Sequence, residues 1–209
     1  MFPIIPVCPM SGGSVVLKIN NFKVYHSDMA IDISVEKKCN VLVGKNGSGK
    51  TTLLDYISGL KKEKGTVITG NENLVYMNQS MFFFDRLRVH EFVKFFYRLD
   101  NIKNYRQTLV SFNEAYGNRF DLDKLWEKQI GMLSGGEKKL LYFLLIMSLD
   151  KSWYLLDEPF AGVDEDGQKL MCEIINKRNS EHRGMIIVLH EMEMLRQLDD
   201  YSVMKLDFG

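Results

Sequence analysis

The chain has 209 residues, of which 45% are hydrophobic and 26% are charged, so its length and composition suit one globular domain with a smaller lobe. Lysine plus arginine and aspartate plus glutamate number 27 each, and this balance argues against a nucleic-acid partner, which normally selects a basic surface. The sequence has no run of 18 apolar residues, so we expect no helix that crosses a bilayer.

Residues 1–15 are predicted to form a flexible N-terminal extension. Three of the four prolines lie within the first nine residues, which disfavours regular structure there. The stretch has neither the basic start nor the continuous apolar segment of a signal peptide. The three cysteines are widely spaced and form no CxxC pair, which predicts reduced thiols in the cytosol and no metal site.

Apolar patterns in the first third of the chain predict short strands and one helix. Alternation of apolar and polar residues is typical of half-buried strands, and a β-branched run is typical of buried ones. The predicted strands cover residues 15–19, 30–35, 40–43, 66–68 and 74–77, and the helix covers residues 51–60.

The middle of the chain is helical in character, and the end returns to alternating strands and helices. Helical spacing of apolar residues extends over 89–98 and 104–149, with turn signals at residues 117–118 and 134–136. Short apolar runs at 153–156 and 185–189 predict buried parallel strands, and residues 165–178 between them predict a helix. These patterns together predict an α/β core with a helical insertion near residues 85–145.

Residues 44–51 fit the pattern G-x-x-x-x-G-K-[ST], follow a predicted strand and open a predicted helix. Glycines let the backbone wrap an anion, and the helix N-terminus adds its dipole. Lys50 can reach the β- and γ-phosphates of a nucleotide, and the Thr51 hydroxyl can bind Mg²⁺. Nucleotide contacts are assigned to Gly44, Lys45, Asn46, Gly47, Ser48, Gly49, Lys50, Thr51 and Thr52.

Residues 133–137, Leu-Ser-Gly-Gly-Glu, resemble the signature motif of ATP-binding-cassette (ABC) proteins, and the resemblance spans roughly residues 16–207. It implies a P-loop NTPase core of ABC type in residues 16–209, with a small antiparallel β part and an inserted α-helical subdomain at about 85–145. It also implies ATP and Mg²⁺ as the bound groups.

The resemblance also implies roles for residues outside the phosphate loop. Asp157 and Glu158, at the end of a predicted strand, match the pair in which the first residue holds Mg²⁺ and the second polarises the attacking water. Gln79 matches a glutamine that contacts Mg²⁺ or the water. His190 matches a histidine that contacts the γ-phosphate, and with Glu158, Gln79 and Lys50 it makes up the predicted catalytic set. The predicted metal ligands are Thr51, Gln79 and Asp157.

An adenine contact is expected on a strand before the phosphate loop, where the family usually has an aromatic residue. Tyr25 is the first choice and Phe22 the second, with packing in the core as the alternative for either.

In the family, the signature completes the ATP site of the opposite subunit, so two copies hold two ATP molecules head to tail. The residues that this implies are Ser134, Gly135, Gly136 and Glu137. Residues 161–164 resemble the family's D-loop, and Asp164 is assigned as its nucleotide contact. The expected partners are therefore a second ATPase subunit, most simply an identical chain, and transmembrane permease subunits. The apolar residues 81–84 are predicted to contact the permease or, alternatively, to pack within the helical lobe.

The predicted function is that of an ATP-hydrolysing subunit at the cytoplasmic face of a membrane, bound there through permease subunits. A soluble ABC ATPase acting on nucleic acid or ribosomes is the alternative, and a different phosphate-loop enzyme, such as a kinase, is a third reading. The compact build is similar to exporter cassettes and to those of lipoprotein or haem export. The transported substrate is not predicted, because the membrane subunit selects it.

Overall fold

The computed structural model describes residues 15–23, 30–80, 84–189 and 192–206. Tyr25, His190 and residues 81–83 lie outside these ranges, as do residues 1–14 of the predicted extension. The chain divides into two compact units. The core unit contains residues 1–79, 151–158 and 176–209, and the helical unit contains residues 80–150 and 159–175.

A parallel sheet of five strands forms the centre of the core unit, and its order is β5-β6-β7-β3-β8. Adjacent strands run parallel at every described pairing. The strands are β3 (Cys39–Val43), β5 (Leu74–Met77), β6 (Trp153–Asp157), β7 (Gly184–Val188) and β8 (Tyr201–Lys205).

The two apolar runs near the end of the chain form the most deeply buried strands of this sheet. Every residue of β6 and β7 is buried, as expected for strands covered on both faces. Their packing requires a glycine at Gly184, because a Cβ atom there would lie 2.4 Å from the Trp153 ring.

A second, antiparallel sheet has the order β2-β1-β4. Its strands are β1 (Val15–Lys23), β2 (Ala30–Glu36) and β4 (Val67–Thr69). Leu17 and Ile19 alternate with exposed residues along β1, and Ile33 and Val35 alternate with exposed or half-buried residues along β2. Their buried faces join the core cluster, which explains the period-two pattern of the sequence.

Helix α1 (Lys50–Ile57) follows the glycine-rich loop and packs Leu53, Leu54 and Ile57 into the same core cluster. It ends three residues before the predicted boundary at residue 60. The cause is Gly59, whose φ of +80° places the chain in the left-handed conformation that terminates helices.

The helical unit contains α2 (Val89–Leu99), α3 (Tyr105–Glu114), α4 (Leu122–Leu125) and α5 (Gly135–Ser148). Helix α6 (Glu165–Ser180) begins in this unit, and its last residues belong to the core unit. Helix α5 is apolar on nearly all sides, and residues 143–147 are fully buried. Helices α2 and α3 pack against it, so it forms the centre of the helical unit.

The stretch predicted to be helical in character over residues 104–149 contains three helices and a short 3₁₀ turn (Ile130–Met132). The predicted turn signals mark two of the breaks. Gly117 and Asn118 have positive φ angles, and Ser134 is extended. The predicted fold class is confirmed: a parallel sheet with helices is joined by a small antiparallel sheet.

Within the described ranges, we find no helix with the length and apolar character needed to span a membrane.

Candidate active site

The parallel sheet brings three functional segments to one edge. Met77 at the end of β5 pairs with Leu156 of β6, so Gln79 and Glu158 both follow the carboxyl ends of neighbouring strands. The glycine-rich loop follows β3 in the same sheet. Ligands of open α/β sheets bind at this carboxyl edge.

The conformation of the phosphate loop depends on its glycines. Gly47 and Gly49 have φ angles of +78° and +88°, which residues with a Cβ atom rarely adopt. A Cβ atom at Gly44 would lie 2.3 Å from the Leu206 carbonyl oxygen. The loop then turns directly into α1, whose first N–H groups have no helical carbonyl partners and suit an anion.

The Lys50 ammonium is buried and bridges the loop. Its Nζ atom donates hydrogen bonds to the carbonyl oxygens of Gly44 (2.8 Å) and Lys45 (2.9 Å). Both of these hydrogen-bond partners of the ammonium are neutral carbonyls. A phosphate oxygen would offer this ammonium a stronger, charge-assisted partner.

Thr51 and Asp157 form the second polar contact of the site. The Thr51 hydroxyl donates to Oδ2 of Asp157 over 2.8 Å. Burial raises the pKa of the Asp157 carboxyl, and the Thr51 hydrogen bond opposes that rise. The other oxygen, Oδ1, is buried and has no hydrogen-bond partner among the described residues.

Gln79 and Glu158 form the third contact. The Gln79 amide nitrogen donates to Oε2 of Glu158 over 2.9 Å. Glu158 has a φ of +50°, a conformation that costs a residue with a side chain about 1–3 kcal/mol. Its backbone N–H donates to the Val188 carbonyl of β7 over 3.2 Å, which anchors this strained turn.

Four residues of these contacts line a cleft of about 530 Å³: Lys50, Thr51, Gln79 and Glu158. Six of its lining residues come from the phosphate loop and the start of α1, and Gln79 and Glu158 complete it. The volume lies in the range of small-molecule sites, about 300–1,000 Å³.

The residues around Asp157 fit a magnesium ion. Among the described residues, no group of three or more His, Cys, Asp and Glu side chains could hold a metal by itself. A cation here would depend on one carboxylate, the Thr51 hydroxyl and oxygens of a bound ligand. Mg²⁺ is commonly held by one or two carboxylates together with substrate phosphates, and the unpaired Oδ1 atom is a suitable ligand.

The predicted signature residues belong to the helical unit, at the start of α5. Ser134 is the N-cap: its hydroxyl accepts from the Glu137 N–H (3.1 Å), and the Glu137 carboxylate accepts from the Ser134 N–H (2.7 Å). Ser134 and Gly135 are exposed. Glu137 therefore has an observed role in ordering this helix start.

Gly136 and the predicted D-loop pack together within the helical unit. A Cβ atom at Gly136 would lie 2.9 Å from the Gly162 carbonyl oxygen. The Lys139 ammonium, only 7% exposed, donates to the Ala161 carbonyl over 3.0 Å. Asp164 caps α6 by accepting from the Gly167 N–H over 2.9 Å.

Sequence patterns did not identify Lys139 as the residue that contacts the Ala161 carbonyl. The available signal was its position directly before the apolar residues 140–141, where a charged side chain must find a partner.

Of the two predicted adenine contacts, the structure describes only Phe22. Tyr25 lies outside the described residues. Phe22 is only 1% exposed and packs edge-on against Tyr56, with ring centroids 5.3 Å apart. Its ring therefore belongs to the core, in line with the packing alternative.

The family model described as ABC transporter matches residues 28–161. An Archaeoglobus fulgidus protein described as an ABC transporter ATP-binding protein is 30% identical over 208 residues, covering 91% of this chain and 66% of the relative. The chain thus spans just under two thirds of that relative's length. The cytochrome c biogenesis ATP-binding export protein of Reclinomonas americana is 32% identical over 173 residues, covering 76% of this chain and 75% of the relative.

Solved structures show the same fold. A structure described as the ATP-binding subunit of an ABC transporter superposes with a TM-score of 0.77 at 17% identity, covering 91% of this chain and 88% of that one. At this level of identity the likeness concerns the fold alone.

Proposed function

Because the chain belongs to the ABC transporter family, whose ATP-binding subunits are ATPases, we propose that it binds ATP with Mg²⁺ and hydrolyses it to power a membrane transporter. The observation that carries this proposal is the cleft of the core unit. It is lined by a glycine-rich loop with a buried lysine, and by the hydrogen-bonded pair of Gln79 and Glu158.

The phosphate loop would bind the triphosphate. Its backbone N–H groups and the start of α1 favour negative charge. Lys50 would exchange its two carbonyl partners for β- and γ-phosphate oxygens, which is a gain because both new partners are charged. Binding and orientation of the triphosphate therefore depend on residues 44–52.

Thr51 and Asp157 would hold the magnesium ion, with Gln79 as a further ligand. When bound, the ion neutralises charge on the β- and γ-phosphates. The Thr51 hydroxyl already contacts Asp157 over 2.8 Å, so both oxygens are adjacent before a ligand arrives. This pre-arrangement lowers the cost of ordering them on binding.

Glu158 would orient the attacking water and accept its proton. The water oxygen forms a bond to the γ-phosphorus while the bond from that phosphorus to the β–γ bridging oxygen breaks, giving ADP and phosphate. The hydrogen bond from Gln79 and the strained backbone both restrict where the carboxylate points. A fixed carboxylate suits positioning of the water, on which phosphoryl transfer largely depends.

A second copy of the chain is the proposed partner that completes each site. The exposed start of α5, with Ser134 and Gly135, offers N–H groups and a helix dipole to a γ-phosphate. Two identical chains would pair through a twofold axis and contribute this helix start to one another's ATP.

ATP hydrolysis would drive a transmembrane permease. Binding to this permease would hold the chain at the cytoplasmic face of the membrane. Export is the favoured direction, because the Reclinomonas americana relative is named as an export protein. The aromatic residues after Gln79 are the proposed permease contact. Purification of the tagged protein from native membranes should yield a permease, whereas recovery with ribosomes would contradict the transporter assignment.

ATP hydrolysis by the purified chain tests the site. Lys50→Ala should lower kcat at least about a hundredfold, since it removes the charge that stabilises the phosphates in the transition state. Lys62→Ala, which changes an exposed lysine outside the cleft, is the control and should hydrolyse ATP as the wild type does. Equal rates for all three proteins would contradict the assignment of this cleft.

A further inference from the structure

A chain of polar contacts connects helix α1 to the segment that carries Gln79. The Asn78 side-chain amide donates to the Tyr76 hydroxyl over 3.1 Å. The Tyr76 hydroxyl donates to Oδ1 of Asp55 over 3.3 Å, and the Lys61 ammonium lies 2.9 Å from Oδ2 of Asp55. All four residues belong to the core unit.

Asp55 and Asn78 connect this hydrogen-bond network to two segments of the site. Asp55 lies one helical turn after Thr51 on α1, so it shares a helix face with that residue. Tyr76 lies on β5, and Asn78 is the first residue after that strand. Asn78 is followed directly by Gln79, which contacts Glu158. These hydrogen bonds therefore link the helix that follows the phosphate loop to the segment that carries Gln79.

Burial and charge fix the direction of these hydrogen bonds. Burial raises the pKa of Tyr76, and the carboxylates of Asp157 and Asp55 raise it further, so the hydroxyl keeps its proton. It therefore donates to the buried Asp55 carboxylate and accepts from Asn78. A protonated hydroxyl between an amide donor and a carboxylate acceptor satisfies all three groups.

Gln79 needs support of this kind because the one side-chain hydrogen bond described for it is the contact with Glu158 that must be positioned. Its side chain is exposed, and it lies just beyond the end of β5, where the ladder of backbone hydrogen bonds stops. A long exposed side chain loses rotamer entropy when it is held in one conformation. Fixing the preceding residue reduces the number of positions that Gln79 can occupy.

We propose that Tyr76 is a positioning residue: through Asn78 it holds the Gln79 segment against α1, so that Gln79 is placed to contact Glu158 and the reacting centre. This inference rests on the proposed ATPase function. It assigns Tyr76 no contact with substrate, so the loss of its hydroxyl should alter turnover and leave ATP affinity unchanged.

A double-mutant cycle on the full-length chain tests the inference. Tyr76→Phe removes the hydroxyl with little change in shape, and should lower kcat for ATP hydrolysis about three- to tenfold, as expected for one hydrogen bond. KM for ATP should stay within about twofold of the wild type. In a Gln79→Ala background, the same substitution should change kcat less than about twofold, because the residue it positions is absent.

Asn78→Ala provides an independent variant, since it interrupts the same path without touching Tyr76. Asn78→Ala should likewise lower kcat in the wild-type background and have little effect in the Gln79→Ala background. If Tyr76→Phe fails to fold, this variant is measured in its place. Tyr97→Phe is the matched control, because it removes a buried hydroxyl that bonds Ser148 in the helical unit. It should leave kcat unchanged.

The inference is overturned if Tyr76→Phe lowers kcat by the same factor in the wild-type and Gln79→Ala backgrounds. It is also overturned if Tyr76→Phe raises KM for ATP and leaves kcat unchanged. Neither result would affect the proposed function, which fails instead if Lys50→Ala hydrolyses ATP at the wild-type rate.

Discussion

At the scale of single residues, the arrangement that prepares Asp157 to bind a cation opposes the stability of the fold. Its carboxyl is fully buried at the end of β6, and burial raises its pKa. One of its oxygens has no hydrogen-bond partner in the described part of the chain. A site that is ready to take up a cation thus destabilises the protein when no cation is bound.

Asp157→Asn should therefore stabilise the nucleotide-free protein at pH 7.5. A carboxyl whose pKa is higher in the folded than in the unfolded state favours folding below its ordinary value of 3.8, and this contribution is lost as pH rises through the folded-state pKa. Asparagine avoids the buried charge and can still accept from Thr51. We expect a gain of about 1 kcal/mol, or about 2–4 °C in Tm.

Thermal unfolding in the absence of nucleotide and magnesium checks this prediction. The gain should shrink as pH falls through the folded-state pKa of Asp157 and disappear below the ordinary value of 3.8, where both states are protonated. Asp123→Asn is the control, since its side chain is 92% exposed, and it should leave Tm unchanged. A lower Tm for Asp157→Asn at pH 7.5 would contradict the role of the buried charge.

The phosphate loop was predictable because its glycines and lysine follow a short apolar strand and fit the pattern of a phosphate-binding loop. The roles of Asp157 and Glu158 came from the resemblance to ABC proteins, in which such a pair ends an apolar strand. The positive φ of Glu158 was not predictable, since it depends on the anchoring of its N–H by a strand that lies far along the chain. The link from Tyr76 to Asp55 was also hidden, because it joins residues of different elements.

At the scale of elements, the signature helix and the D-loop form one packed assembly within the helical unit. Gly136 leaves no room for a side chain against Gly162, and Lys139 holds the Ala161 carbonyl. A charge-assisted hydrogen bond from a buried ammonium is among the stronger ones. Movement of α5 should therefore carry residues 161–164 with it.

Lys139→Met should loosen the D-loop, because it removes this hydrogen bond and keeps an apolar stem of similar length. Hydrogen exchange at the backbone amides of residues 161–164 should become at least about threefold faster, in proportion to one lost hydrogen bond. Lys138→Met is the matched control, since Lys138 pairs with Asp85 instead. Unchanged exchange in Lys139→Met would show that this bond does not hold the loop.

The periodicity of apolar residues predicted which segments are helices and which are strands better than it predicted where they end. Strands β6 and β7 are covered on both faces, so all their residues are apolar or buried. Such short apolar runs predict buried strands directly. The end of α1 was misjudged because apolar residues continue to Leu60, whereas the left-handed Gly59 stops the helix. Strand order was beyond reach, since β3 pairs with β7 and β8 from the far end of the chain.

At the scale of the whole molecule, we propose that the chain is one half of a twofold assembly. The core unit supplies the cleft, and the helical unit presents an exposed helix start for which we propose a partner's ATP. A bound ATP would then join two chains, and hydrolysis would remove the γ-phosphate contacts that hold them together. A lone chain should accordingly bind ATP but hydrolyse it slowly.

The most direct test is the molar mass of Glu158→Gln in solution, measured by light scattering during size-exclusion chromatography. This substitution should slow hydrolysis strongly, because glutamine cannot accept the proton of the attacking water, while ATP binding persists. With ATP and Mg²⁺ the mass should double relative to the nucleotide-free chain, whereas ADP should leave it single. Adding Ser134→Arg should abolish the doubling. A single-chain mass at saturating ATP, or turnover at the wild-type rate, would contradict the proposed ATP-bound dimer.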